Sequence, residues 1–305
     1  FVGSQGTLGV FTEAKVKLQP EKPFKKLVVA FFKDWNDLPD VVNAVLPFDP
    51  ENLETFDRDT MKLGIRFMPK IAKRAHRKFI PFAFDFLPEA WMGIKMLGLP
   101  KLIVLIELAE DTQEALDLKV SGVQKALKPF RVWTRVPKDK LDEEKYWTMR
   151  RESFSLLRET VGNKRTAPFV EDFGVDPKYM PDFLPKALKV LKDNSIKANI
   201  AGHAGNGNYH IIPLMNFDDP AERAKIVPVA DKIYDLVAQY HGTITAEHND
   251  GIIRTPYLKE MYGEEMVVLF EEVKHIFDPQ NIFNPGKKVG GTKEDIKKYL
   301  AKSNK

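Results

Sequence analysis

The sequence contains no cysteine, and this absence limits the chemistry available to its 305 residues. Without cysteine there is no disulfide framework, no zinc-thiolate site, no iron–sulfur cluster and no thiol nucleophile. A metal ion would have to be held by histidine and carboxylate side chains. The chain has six histidines.

The sequence also lacks a strong excess of one charge. Forty-seven Lys and Arg stand against 43 Asp and Glu, a net charge of +4, and the basic residues are spread along the chain. This pattern gives no indication of a nucleic-acid partner.

Long apolar runs are missing as well. No uncharged apolar run approaches the roughly 18 to 20 residues that span a bilayer, so no transmembrane segment is expected. The start of the chain has no basic residues followed by an apolar block, as a signal peptide would. We expect a cytoplasmic protein, and peripheral association with a membrane stays open.

Strand and helix patterns alternate along a chain that is 43% apolar and 30% charged. Strands are predicted at 27–32, 53–56, 102–108, 131–134, 167–173, 196–203, 208–214 and 242–247. Helices are predicted at 36–45, 60–73, 143–161, 178–193, 221–240 and 258–277, with a further helix starting near Asp111.

These elements predict an α+β fold with a mainly antiparallel sheet covered by helices on one face. A strand–helix–strand echo between residues 27–56 and 102–134 favours a ferredoxin-like sheet flanked by helices, present in two copies.

Four histidines fall within 46 residues, and two of them enclose the segment GHAGNGNYH at 202–210. Asn206-Gly207 predicts a two-residue hairpin turn, which would place His203 directly opposite His210. Directly opposed side chains on one face have Cβ atoms about 4.5–5.5 Å apart, so both rings can reach one divalent ion. The alternative, that the two rings only pack or hydrogen-bond on a half-exposed sheet, stays open.

Glu247 in the segment TAEHNDG is the candidate third ligand. Two histidines and one glutamate leave a coordination position open, as in a catalytic zinc site, and the adjacent His248 is free to remove a proton. An ordinary surface turn is the alternative. His76 and His275 lie among helical residues and are expected to be structural.

Four motifs in order resemble the FAD-linked oxidases of the vanillyl-alcohol oxidase type. They are GSQGTLGVFTEAKVKL at 3–18, GHAGNGNYH at 202–210, TAEHNDGIIRTPYL at 245–258 and FDPQNIFNPGKK at 277–288. The resemblance is to the C-terminal half of D-lactate, glycolate and D-2-hydroxyglutarate dehydrogenases. It implies a remnant of the FAD-binding domain at 1–21, a substrate cap at 22–289 and a polar tail at 290–305, with a fold of the FAD-linked oxidase C-terminal type.

The resemblance also implies roles for single residues. His203, His210 and Glu247 would bind a divalent metal, with zinc expected, and His248 would take the proton of a substrate hydroxyl while a hydride passes to FAD. Arg150, in the segment WTMR, would bind the carboxylate of a small 2-hydroxy acid. Backbone groups of Gly6, Thr7, Leu8 and Gly9, together with Asn284 and Lys287 of NPGK, would face the flavin.

The sequence departs from the family pattern in three places. Asn206 replaces the usual Asp of GHxGDGNxH, and EHNDG replaces the commoner EHGxG. The Gly-rich stretch that holds the FAD pyrophosphate is not in this sequence. We therefore expect the chain alone neither to hold FAD tightly nor to turn over. Its expected partners are an FAD-binding domain, a 2-hydroxy acid and an electron acceptor of unknown kind.

Two other functions remain open from the sequence. The chain could be a non-catalytic metal-binding module that serves as a partner or scaffold, or a metal-dependent hydrolase that uses the same ligands. Residues 79–99, rich in aromatic side chains and methionine, have the content of a docking surface for a membrane, a quinone reductase or a second subunit. The alternative for this segment is packing inside the cap or against the FAD-binding domain.

Overall fold

The computed structural model describes residues 1–74, 77–159 and 164–300, with the backbone alone over 153–159. His76 and residues 301–305 of the expected tail lie outside these ranges. Within them, eight strands form one sheet. The strands are β1 Phe24–Phe32, β2 Asn52–Asp57, β3 Leu102–Glu110, β4 Val132–Arg135, β5 Arg165–Thr166, β6 Phe173–Gly174, β7 Lys197–His203 and β8 Asn208–Met215.

Helices cover this sheet and connect its strands. They are α1 Leu38–Val45, α2 Arg58–Arg66, α3 Met68–Arg74, α4 Phe79–Phe84, α5 Leu87–Lys95, α6 Gln113–Leu127, α7 Lys140–Glu159, α8 Met180–Asp193, α9 Pro220–Ala224, α10 Ile226–Gln239, α11 Gly251–Arg254, α12 Leu258–Tyr262, α13 Glu264–Phe277 and α14 Lys293–Tyr299. No helix in the described ranges is long and apolar enough to cross a bilayer.

The sheet is antiparallel, with the order β4-β1-β3-β2-β7-β8-β5, and β6 also pairs with β8. This confirms the predicted fold class. β1-α1-β2-β3-α6-β4 form one ferredoxin-like unit. The two echoing segments, 27–56 and 102–134, are thus the two halves of one unit.

A second ferredoxin-like unit follows along the chain. It consists of β6, α8, β7, β8 and α10, and its last strand is reduced to a single bridge between Gly174 and Thr243. β2 and β7 pair with each other and join the two units into one sheet.

Helices pack on both faces of the sheet, and the expectation that they cover only one face is wrong. α1, α6, α8 and α10 share the larger core on one face, whereas α2, α5 and α7 pack against the other face. Because both faces are covered, β1 is buried from Leu27 through Phe32 on both of its sides.

Several predicted elements differ in the structure. The helix predicted at 258–277 is interrupted at Gly263, where φ is +83°. The strand predicted at 167–173 does not form over 167–172, and of that range only Phe173 belongs to a strand, the two-residue β6. The predicted strand 242–247 does not form, because the backbone N–H groups of Ala246, Glu247 and His248 donate to the Asp172 carboxylate instead of to a neighbouring strand.

The two ends of the chain differ in how they pack. Residues 1–23 form no strand, and the side chains of Val10, Phe11, Val16 and Leu18 are exposed. In the tail, α14 forms as a helix, but its Ile296 is buried against the larger core.

Candidate functional site

The β7–β8 hairpin brings His203 and His210 together by a register that differs from the prediction. His203 pairs with Asn208 and His210 pairs with Ala201, because the turn runs through four residues, 204–207. His210 lies two residues beyond Asn208 and therefore on the same face as His203. The rings meet diagonally, with their centroids 5.3 Å apart. The prediction of direct opposition is wrong, although the two rings are close.

Glu247 lies at the centre of three imidazole rings. Its Oε1 is 3.0 Å from Nε2 of His210, 3.1 Å from Nε2 of His248 and 3.5 Å from Nε2 of His203. The loop that carries Glu247 and His248 is fixed by the fully buried Asp172. Backbone N–H groups of the loop donate to that carboxylate, the shortest from His248 at 2.8 Å.

Residues behind the rings fix which nitrogen each ring presents. Nδ1 of His203 lies 2.5 Å from Oε1 of Glu54, its partner across the β2–β7 junction. Nδ1 of His210 lies 2.7 Å from the carbonyl oxygen of Glu171. Because both partners are acceptors, Nδ1 of each ring is the nitrogen that donates to them, and Nε2 of each ring faces Glu247 as the nitrogen available to a metal.

The two rings differ in basicity. The hydrogen bond with Glu54 raises the pKa of His203, whereas burial lowers the pKa of His210 and favours its neutral form. A neutral imidazole is the form that binds a metal.

The donor set fits a divalent metal ion. Ligand atoms of Asp172, His210, Glu247 and His248 lie within 4.8 Å of one another. The Asp172 carboxylate already accepts hydrogen bonds from three backbone N–H groups. We therefore assign it to the support of the loop and not to the metal. Of the three predicted ligands this group contains His210 and Glu247, whereas His203, whose Nε2 is 3.5 Å from Oε1 of Glu247, lies outside it and His248 lies within it. Two histidines and one carboxylate, with outer acceptors on the rings, are an arrangement found at zinc sites.

Arg150 reaches this cluster from α7. Its Nη2 is 3.1 Å from Oε2 of Glu54, so Glu54 connects Arg150 with His203. The Arg150 Nε is buried and has no acceptor within the described part of the chain. One side of the guanidinium therefore still has a hydrogen to donate.

The segments expected to face the flavin lie together, although about 280 residues separate them in sequence. Oγ1 of Thr7 is 3.3 Å from the carbonyl oxygen of Lys287, and Nδ2 of Asn284 donates to the carbonyl of Gln5. Oε1 of Gln5 accepts from the N–H of Gly251, three residues after His248. Gly6, Thr7, Leu8, Gly9, Asn284 and Lys287 thus belong to two joined loops beside the histidine cluster, and their role toward a flavin stays a prediction.

A cleft of about 730 Å³ opens beside the cluster and has room for a small molecule. His203 and Glu247 line it together with His241 and Tyr262. His275, expected to be structural, is exposed on α13 and is not among the residues that line the cleft.

Sequence reasoning missed Glu54, Glu171 and Asp172. The available signal was an acidic side chain inside an otherwise apolar strand, in LETF at 53–56 and in VEDF at 170–173. Acidic groups at such positions are buried only when they have partners.

The chain matches the family described as FAD linked oxidases, C-terminal domain, over residues 21–288. It is 28% identical to a D-2-hydroxyglutarate dehydrogenase of Pseudomonas putida over 93% of this chain and 27% of that protein. It is 24% identical to the glycolate oxidase subunit GlcD of Escherichia coli, over 95% and 53% of the two chains. A D-lactate dehydrogenase of Anaerostipes hadrus is 26% identical over 94% and 56%.

Solved structures show the same fold. The 4-ethylphenol oxidase from Gulosibacter chungangensis superimposes with a TM-score of 0.63 at 15% identity, over 91% of this chain and 56% of the oxidase. The chain therefore spans between about a quarter and just over half the length of the proteins it matches.

Proposed function

The chain belongs to the family of FAD linked oxidases, C-terminal domain, and from this premise we propose that it forms the substrate- and metal-binding part of an FAD-dependent enzyme that oxidises a D-2-hydroxy acid. The observation that carries the proposal is the convergence of three imidazole Nε2 atoms on one oxygen of Glu247. The names of the relatives, D-2-hydroxyglutarate dehydrogenase, glycolate oxidase and D-lactate dehydrogenase, support a 2-hydroxy acid as the substrate class.

We assign the metal to His203, His210 and Glu247, with zinc as the expected ion. A bound divalent ion would lower the pKa of a substrate hydroxyl group. His248 is the candidate base because its side chain is 52% exposed and its Nε2 lies beside the same Glu247 oxygen. It would accept the hydroxyl proton at Nε2.

Arg150 is the candidate group for the substrate carboxylate. A guanidinium binds a carboxylate through two parallel hydrogen bonds. The Nε of Arg150 has no acceptor in the described part of the chain, so its hydrogen is available to a substrate. Glu54 competes for the same side chain. We expect the substrate carboxylate to bind Arg150 while the ion pair between Arg150 and Glu54 stays in place.

FAD would be held mainly by a separate FAD-binding domain, to whose end we assign residues 1–21, with 22–289 as the cap and 290–305 as the tail. Gly6 and Asn284 are exposed on the two joined loops, which leaves room for a flavin ring to approach them. FAD, when bound, would accept the hydride from C2 of the substrate and pass electrons to an external acceptor.

The test is anaerobic stopped-flow mixing of hydroxy acids with the protein assembled with its FAD-binding domain. We expect D-lactate or D-2-hydroxyglutarate, but not the L-enantiomers, to bleach the flavin absorbance. Arg150→Ala should raise the substrate concentration for half-maximal reduction about 10- to 100-fold, the loss expected for hydrogen bonds to a charged group, with a smaller change in the limiting rate.

The matched control is Arg151→Ala, since Arg151 is exposed and pairs with Glu144 on the surface of α7. Its reduction kinetics should equal those of the unaltered protein. Failure of every hydroxy acid to reduce the flavin would contradict the proposed function. Equal effects of the two arginine changes would contradict only the role of Arg150.

A further inference from the structure

Helices α4 and α5 and the loop after them expose an unusual number of large apolar side chains. Ile80, Phe84, Trp91, Ile94 and Leu97 have exposed fractions of 66%, 62%, 60%, 67% and 92%. Residues 79–99 therefore do not pack wholly inside the cap, which was one expectation from the sequence. We call these residues the α4–α5 surface.

Positive charge is concentrated around this surface. Between residues 58 and 101 ten Lys and Arg stand against three Asp and Glu, whereas the whole chain carries only +4. The three carboxylates are already paired, Asp59 with Lys62, Asp85 with Arg77 and Glu89 with Lys145.

Five cations of this stretch have no carboxylate within 4 Å among the described residues. They are Arg66, Lys70, Lys73, Lys78 and Lys95, all of them exposed. The Lys95 ammonium lies 5.4 Å from the ring of the exposed Trp91 on the same side of α5. Cationic and aromatic side chains thus share one face, the composition of a segment that lies in a membrane interface.

An apolar cavity of about 570 Å³ opens on the same surface. Ile65, Ile94, Leu97 and Leu99 line the cavity and are also exposed, so they form its mouth. Met61 and Phe56 lie deeper inside it. Such a cavity has the chemistry to accept an acyl chain.

We propose that the α4–α5 surface binds the anionic face of a lipid bilayer. Trp91, Ile94 and Leu97 insert between the acyl chains, while Lys78 and Lys95 contact the headgroups. Positive charge beside exposed apolar side chains favours this occupant over a second copy of the chain, because two copies would bring like charges together.

The test is co-sedimentation of the purified chain with vesicles of phosphatidylcholine alone and with vesicles that also contain phosphatidylglycerol. We expect binding to the anionic vesicles, weakened by salt, and a blue shift of tryptophan fluorescence. Trp91→Ser combined with Ile94→Ser should abolish binding to the anionic vesicles. Lys78→Gln and Lys95→Gln should each weaken it about 5-fold, which corresponds to about 1 kcal/mol for a basic residue at an anionic surface.

The matched controls are Leu118→Ser and Lys125→Gln on α6, which packs on the opposite face of the sheet. Both should bind vesicles as the unaltered chain does. The proposal is overturned by an absence of binding to anionic vesicles, or by equal binding of all variants. It is also overturned if the Trp91/Ile94 double change instead dissociates a dimer or prevents assembly with the FAD-binding domain while no vesicle binding is seen.

Discussion

At the scale of single residues, Glu54 and Glu171 decide what the two histidines can do. Each supplies an acceptor for one Nδ1, a side-chain carboxylate for His203 and a backbone carbonyl for His210. Both rings therefore present Nε2 on the side of Glu247. Acceptors of this kind orient metal-binding histidines and increase their basicity.

His248 differs from these two rings because no acceptor hydrogen-bonds to its Nδ1 among the described residues and because its side chain is half exposed. We predict that His248→Gln retains the metal ion, because a base rather than a ligand is removed. The rate of flavin reduction should nevertheless fall about 10²-fold or more, the usual contribution of a positioned base. Stopped-flow kinetics with the metal content measured on the same samples provide the test.

His275→Gln on the exposed face of α13 is the control and should change neither quantity. Loss of metal in His248→Gln would show that His248 is a ligand. An unchanged rate of reduction would place the base elsewhere, with His241 in the same cleft as the next residue to test.

At the scale of elements, the β7–β8 turn depends on Gly207. Its φ is +66°, and a Cβ there would lie only 1.8 Å from the carbonyl oxygen of Val175. Gly207→Ala should therefore destabilise the protein by about 3 kcal/mol or more, because left-handed strain of about 1–2 kcal/mol adds to a clash with backbone. Urea unfolding measures this change.

Gly290→Ala isolates the strain from the clash, since Gly290 has a φ of +72° and open space around it. Gly290→Ala should lower the free energy of unfolding by about 1 kcal/mol. Equal costs for the two variants would mean that the Val175 carbonyl does not restrict the turn.

Helix α7 is anchored by a buried ionic cluster in its first turns. Lys145, fully buried, lies 2.8 Å from Asp142 and 2.9 Å from Glu89 of α5. Burial alone would raise the pKa of Asp142, but hydrogen bonds from Arg135 and Lys145 outweigh it and lower the pKa to about 2.

A lowered carboxyl pKa stabilises the fold above the unfolded pKa, 3.8, and this stability is lost as the pH falls from there toward 2. We predict that Asp142→Asn lowers the free energy of unfolding at pH 7 by about 2 kcal/mol and flattens its dependence on pH between these values. The control is Asp193→Asn, because Asp193 forms an exposed pair with Lys189. This change should alter the free energy of unfolding by less than about 0.5 kcal/mol. An unaltered acid profile in Asp142→Asn would contradict this account of the cluster.

The accuracy of sequence prediction also varied by element. β1 and β3 were predictable because their apolar runs are buried on both faces. The hairpin itself was predictable from Asn206-Gly207, but its register was not, since Ala204–Asn206 adds a turn that dipeptide preferences do not indicate. The loop at 242–248 was mistaken for a strand because its backbone pairs with the side chain of Asp172, a contact between residues more than 70 positions apart.

At the scale of the whole molecule, the candidate site lies where two ferredoxin-like units meet. Glu54 from the first unit pairs with His203 from the second across the β2–β7 junction. The motifs in the sequence pointed to His203, His210, Glu247 and His248, all in the second unit. Glu54 was not predictable from them, because its contribution exists only once the two units form one sheet.

The N-terminal loop completes this arrangement. Residues 4, 7 and 8 are buried, and the loop bonds to the segments around Gly251 and Lys287. The family resemblance predicted that these distant segments act together. Their contact through Gln5 required the folded chain.

The central claim, a divalent metal held by His203, His210 and Glu247, is tested most directly by the metal content of the purified chain. Mass spectrometry should find one divalent ion per chain in the unaltered protein and in His275→Ala, and none in His203→Ala or Glu247→Ala, with far-ultraviolet circular dichroism confirming that each variant is folded. Unchanged metal content in folded His203→Ala and Glu247→Ala would contradict the account.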